Sequence, residues 1–191
     1  MHYNEGDMRK WFHITFSTYG SWLPGDARGF RSWRHRVHSS GDYKNPPPPG
    51  EHEGLRGYAQ ARMTRPPVTL TREQRRTCVL AMVEKLQEKG AEVLAIPVGA
   101  RHVHVQARIE NHTARKIIGL AKQTASHRIR DEIPGTIWAG RSRTEPITNK
   151  NHQQALFHYI VRHRREGAFV WTFRDWKPTP SSQDRSSRSS K

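Results

Sequence analysis

His102-Val103-His104 opens a run that ends at Ile109 and alternates polar with apolar side chains. Side chains at i and i+2 of a strand stand on one face, so the two imidazoles stand side by side while Val103 turns to the core. Two neutral imidazoles at that spacing can grip a divalent ion, but two ligands are too few and a third must come from elsewhere. Without one, the pair is simply a polar strand face in a chain with 12 histidines.

Tyr159 and His163 are the candidates to complete it. They are four residues apart, so on a helix they share a face, at the edge of the apolar stripe made by Leu156, Phe157 and Ile160. A phenol is a poor nucleophile at its free pKa of about 10, but a cation beside a scissile phosphate, or a nearby imidazole, makes phenolate attack feasible at neutral pH. The plainer alternative is a boundary tyrosine, with its ring packed and its hydroxyl in water.

The elements that must position these groups can be read along the chain. Trp11 to Ser17 alternates, with Phe12, Ile14 and Phe16 on one side, as a strand with one buried face does. From about Leu23 to Pro67 the chain is polar, with Pro24-Gly25-Asp26 and the run Pro46 to Pro49, and is expected to be a long insertion loop, at about 24–68. Thr71-x-x-Gln74 is a capping box, and Val79, Met82, Val83 and Leu86 then recur at helical spacing before Gly90. Val93 to Val98 and His102 to Ile109, separated by Gly99-Ala100-Arg101, have the spacing of an antiparallel hairpin.

A second helix is expected over about 113–130, with Ile117, Ile118, Ala121, Ala125 and Ile129 facing the core. Ile137-Trp138-Ala139 and Arg143 to Ile147 are expected to supply a last strand. Asn149 or Asn151 then opens a third helix, which Gly167 ends. The order predicts an α+β fold: a ferredoxin-like split βαβ antiparallel sheet with an added C-terminal helix carrying the tyrosine. We expect one domain over 1–176 and a disordered, Ser-rich basic tail over 177–191.

Composition narrows the partner. Lys+Arg number 33 against 17 Asp+Glu, a formal charge of +16 in 191 residues, so a polyanion is expected. Charge alone also suits a ribosome-bound or membrane-surface protein and specifies no chemistry. The single cysteine, Cys78, sits in an apolar helical pattern, reads as a small core residue, and allows no intramolecular disulfide. No run is long and apolar enough to span a bilayer and Met1 to Lys10 is polar, so a soluble, cytoplasmic protein is expected.

A His-hydrophobic-His strand, then a helix, a strand and a helix whose Tyr is followed by a polar residue four positions on, resembles the single-tyrosine HUH transposases. These include insertion-sequence and REP-associated tyrosine transposases. The segment His13-Ile14-Thr15-Phe16-Ser17-Thr18-Tyr19-Gly20-Ser21-Trp22-Leu23-Pro24-Gly25-Asp26 also resembles the opening of a subgroup of that family, and the likeness spans roughly 11–170. It implies His102, His104 and His163 as metal ligands and Tyr159 as the nucleophile that becomes linked to a DNA 5′-phosphate. The third ligand is commonly an amide residue in the family, and Ile96 to Arg101 departs from the Met-Pro-Asn-His lead-in of REP-associated members.

The implied metal is Mg²⁺ or Mn²⁺, whereas imidazole chemistry alone suits zinc, copper or iron. The implied partner is single-stranded or hairpin DNA in a nucleoid-associated setting, met by a monomer or a homodimer. Such a substrate needs a basic track with stacking surfaces, for which Lys116, Lys122, Arg128, Arg130, Arg141 and Arg143, with Trp138, are the candidates. Arg28, Arg31, Trp33, Arg34, Arg36 and Tyr43 of the insertion are expected to touch DNA flanks or a hairpin. Two other readings stand beside this one. His102-Val103-His104-Val105-Gln106 also fits a histidine-triad-like nucleotide hydrolase or transferase with His104 as nucleophile, and the fold can persist in a domesticated, non-catalytic DNA-binding protein.

Overall fold

The computed structural model describes residues 9–26, 48 and 50–175. Its strands are β1 (Arg9–Ser17), β2 (Glu92–Val98), β3 (His102–Glu110), β4 (Arg143–Pro146) and β5 (Phe169–Thr172); its α-helices are α1 (Glu53–Ala61), α2 (Arg72–Glu88), α3 (Ala114–Arg128) and α4 (Lys150–Arg162). The strands form one antiparallel sheet in the order β4-β1-β3-β2-β5. β3 thus separates β1 from β2, the split arrangement expected from the sequence.

One face of this sheet holds the main core. Phe12, Ile14 and Phe16 of β1 and Val103, Val105, Ala107 and Ile109 of β3 pack there against Val79, Met82 and Leu86 of α2 and Ile117, Ile118, Ala121 and Ala125 of α3. The α2 capping box forms as its spacing predicts: Gln74 N–H donates to the Thr71 hydroxyl, and Thr71 N–H to the Gln74 amide oxygen. Cys78 is fully buried in this core, and burial pushes its thiol up to about 12, so it packs as an apolar residue.

The opposite face carries α4 on a much smaller cluster, Ala95, Leu156 and Ile160. A register shift in β2 between Val93 and Ala95 makes this possible. It leaves Val93, Ile96 and Val98 in the main core and turns Ala95 toward α4, whose apolar side chains sit over its small methyl group. Asn149 caps α4, its side-chain oxygen accepting from His152 N–H at 2.8 Å.

The structure departs from the sequence expectations at four places. The stretch expected to be an irregular insertion contains α1, which buries none of its residues. Ile137 and Trp138 are buried, but the segment makes only an isolated bridge, Thr18 to Trp138; the Trp138 ring packs edge-on to Phe16 at 5.5 Å, and β4 alone is the strand. α4 ends at Arg162 and tightens into a 3-10 turn, His163–Glu166, before the left-handed Gly167 (φ 80°). The chain then returns as β5, an edge strand not anticipated. The tail from 177 on, like 27–47, lies outside the described residues. No described helix is long and apolar enough to cross a membrane.

Because α4 rests on so few apolar contacts, Ile160, fully buried among them, should matter out of proportion to its size. Ile160→Ala should cost about 3 kcal/mol in urea unfolding and raise amide exchange along α4 first.

Candidate metal centre and the tyrosine beside it

The alternation of β3 that buries Val103 and Val105 sends His102, His104 and Gln106 to the α4 face. Gln106 is itself fully buried there, and its amide donates to the Gln153 carbonyl in the first turns of α4 at 2.8 Å. The same strand therefore presents two imidazoles and pins the helix that brings Tyr159 and His163 to them. Just before it, the hairpin turn is tight: a Cβ on Gly99 would lie 3.2 Å from His102 Cε1 and 3.2 Å from the His102 carbonyl oxygen.

Across the sheet, β1 adds a histidine that spacing did not single out. His13 Nε2 and His104 Nδ1 are 2.9 Å apart, with the rings stacked at 7° and 5.2 Å between centroids. If His104 Nδ1–H donates to His13, the Nε2 lone pair of His104 is left free for a metal ion, the arrangement by which outer partners fix ligand tautomers. Burial, helped by His163, His13 and His102, pushes the His104 pKa down to about 3; burial also lowers that of His13, against the opposing pull of Glu145. His104 and His13 are therefore neutral at pH 7, the form in which an imidazole coordinates.

His163 sits on the 3-10 turn, where residues three apart eclipse. Glu166 consequently meets it, with Oε2 2.9 Å from Nδ1. The other nitrogen, Nε2, is buried and has no hydrogen-bond partner among the described residues, in a side chain only 5% exposed. A buried nitrogen without a partner is costly unless something binds it. His163 belongs to a set in which one ligand atom each of His102, His104 and His163 lies within 4.8 Å of the others.

These residues fit a divalent ion. Imidazole nitrogens at about 2.1 Å from a tetrahedral ion lie about 3.4 Å apart, so modest ring rotation would close the cluster. Two of the three have their outer nitrogen engaged, by His13 and by Glu166, and the exposed His102 leaves one side open. Three protein ligands with an open side is the pattern of catalytic rather than structural sites.

Tyr159 stands against this cluster in the same chain. Its ring centroid is 5.6 Å from that of His104 and 4.9 Å from that of His163, both edge-on, while the residue is 40% exposed. Arg162 lies 5.9 Å from the Tyr159 ring centroid, and His158, Arg164 and Arg165 line the open groove beside it, basic groups that the sequence reading passed over.

Of the basic residues expected to meet DNA, Lys122 and Arg141 line one groove and the others are scattered. Arg128 pairs with Glu84 at 3.1 Å, Arg130 with Asp131 at 3.6 Å, and Arg143 with Glu145 at 2.5 Å. Lys122 donates to the Ala139 carbonyl at 2.6 Å, and burial pushes its pKa down. Lys116 lies on the exposed side of α3, and Trp138 is buried with its indole N–H donating to the Lys122 carbonyl, so it offers no stacking surface. Arg28, Arg31, Trp33, Arg34, Arg36 and Tyr43 lie outside the described residues.

By sequence the chain matches no protein-family profile and no curated relative. Among solved structures it is similar to a REP-associated tyrosine transposase bound to a REP hairpin, with 14% sequence identity and a TM-score of 0.49, over 98% of this chain and 86% of that one. At that level of likeness, the site has to be read from this chain's own residues.

Two outcomes follow from the histidine network. His13→Ala should lower the affinity for Mn²⁺ by about 10- to 100-fold in calorimetric titration, although His13 is not itself in the ligand set. His104 also binds a proton less readily folded than unfolded, so its contribution to the stability of the metal-free protein is complete above pH 6.5 and is lost as the pH falls through and below that value. The loss from His104 should be about 2 kcal/mol at pH 5, measured by urea unfolding in chelator, and the pH dependence should be shallower in His104→Ala.

Proposed function

We propose that this protein is a metal-dependent enzyme of the single-tyrosine HUH transposase kind, which nicks and rejoins single-stranded DNA through a covalent phosphotyrosine. One observation carries the reading: His102, His104, His163 and an accessible Tyr159 converge in a single chain, on the α4 side of one sheet. The charge of +16 supports a polyanionic substrate, and the basic groove along α4 supports one that reaches Tyr159.

In this mechanism His102, His104 and His163 hold the ion, and of the two metals implied by the resemblance Mn²⁺ accepts nitrogen ligands more readily than the oxygen-seeking Mg²⁺. An ion held there would supply Lewis-acid polarisation of the scissile phosphate. Tyr159 Oη attacks that phosphorus in line, the phenol proton passing to water at its exposed edge. The bond from phosphorus to the 3′ oxygen breaks, and the oxygen leaves with a proton as a 3′-hydroxyl. The 5′-phosphate stays on Tyr159 until another 3′-hydroxyl reverses the step and rejoins the strands. Tyr159 serves its own chain's histidines in this scheme, so the chemistry does not require a second subunit.

The histidine-triad alternative asks Gln106 to stand beside a nucleophilic His104. That glutamine is occupied with the backbone of α4, and His104 Nδ1 with His13, so no observation favours it. A non-catalytic DNA-binding protein has no use for the orphaned nitrogen of His163.

The test is incubation with labelled single-stranded hairpin DNA from the flanks of the gene and Mn²⁺ or Mg²⁺, followed by denaturing electrophoresis. A metal-dependent protein–DNA adduct should form, and Tyr159→Phe should abolish it while leaving DNA binding intact. Tight binding with no adduct across varied flanking sequences would favour the non-catalytic alternative.

A further inference from the structure

On the far side of the β1·β4 edge from the histidines, a groove runs between α3 and residues 140–142. It is lined by Arg115, Gly119 and Lys122, which recur at i, i+4 and i+7 along one face of α3, and by Gly140, Arg141 and Ser142 opposite. It holds three cations and no acid. Arg115 and Arg141 make no ion pair among the described residues, and neither has its charge offset within the groove. Lys122 donates one ammonium proton to the Ala139 carbonyl and lies 5.2 Å from the Phe16 ring centroid, and an ammonium has further donors to offer. Both glycines leave the walls bare: a Cβ on Gly119 or on Gly140 would meet nothing within 4 Å.

We propose that this groove seats a backbone phosphate of single-stranded DNA. Guanidinium groups without an acidic partner in the groove, an ammonium and open backbone suit a phosphodiester, and Ile118 is the one apolar side chain among the described lining residues. The inference rests on the reading that DNA is the substrate, and it gives that DNA a path. Ala139 N–H donates to the Ser17 carbonyl, and Ser17 is the register partner of His102, so the groove opens at the end of the sheet where the histidines lie. From Arg141 the chain enters β4 at Arg143, which pairs with Thr15, itself paired with His104. A strand anchored at Arg115, Lys122 and Arg141 therefore passes Arg143 on its way around the β4 edge to the histidine face.

Gly119 allows a test that spares the fold, because glutamate and glutamine are both better helix formers than glycine and the space is open. Binding of a fluorescent single-stranded oligonucleotide would be followed by anisotropy across a salt series with full-length protein. Gly119→Glu should weaken binding by about tenfold near 0.1 M salt and Gly119→Gln far less. Arg115→Gln should reduce the slope of log K against log salt by about 0.7, one phosphate contact on a single strand. Wild-type affinity and slope in both Gly119→Glu and Arg115→Gln would overturn the proposal. So would wild-type protein that binds an acidic peptide but not DNA. The outcome is separable from that of the catalytic reading: these shifts without any adduct in the wild type would leave the groove standing and remove the nicking chemistry, and an adduct without the shifts would do the reverse.

Discussion

The period of two along β3 is the constraint on which the rest of this molecule depends. One set of its side chains, Val103, Val105, Ala107 and Ile109, is fixed in the main core beneath α2 and α3. The other set, His102, His104 and Gln106, then has no choice of side and must face α4. A slip of one residue in the pairing of β3 with β1 would bury imidazoles among isoleucines and turn valines toward the helix, so hydrophobic burial fixes the register and the register fixes the site. The strand's half of the site is thereby held by the main core, while Tyr159 and His163 arrive on a helix resting on few apolar contacts and on the 3-10 turn that follows it.

Electrostatics at the centre differs from electrostatics over the surface. The chain carries a large positive excess, yet at the centre of the cluster burial keeps His104 neutral, its pKa pushed down to about 3. Protonated imidazoles at these spacings would repel one another and any cation. Neutral ones offer lone pairs, and two of the three are oriented from behind, by His13 and by Glu166. The proposed roles divide accordingly: a desolvated setting for His104 and His163, with His102 at its exposed edge, and an outer field of Lys and Arg for the polyanion.

Most of the scaffold was legible because it is strongly periodic. The alternation of β1 and β3, the capping box of α2 and the apolar stripe of α3 each belong to elements long enough to show their period, and each formed as expected. What escaped notice lacks such a signal. α1 holds two glycines in nine residues and buries nothing, so neither propensity nor a core-facing stripe marks it. β5 is four residues long, too short for alternation to register, and its partner is chosen by tertiary packing. His13 was visible on the polar side of its strand, but only the pairing of β1 with β3 brings it to His104. Glu166 reaches His163 because the chain tightens to a 3-10 turn after Arg162, which a helix running on to Gly167 would not have placed in the same way.

The central claim is that His102, His104 and His163 together bind one divalent ion beside Tyr159. Electron-spin-echo spectroscopy of the Mn²⁺-loaded protein tests it most directly, because nitrogen couplings report imidazoles in the coordination sphere. Imidazole couplings should diminish in each of His102→Ala, His104→Ala and His163→Ala and persist in His152→Ala. A spectrum showing only water protons around the ion, or nitrogen couplings indifferent to all three substitutions, would contradict it.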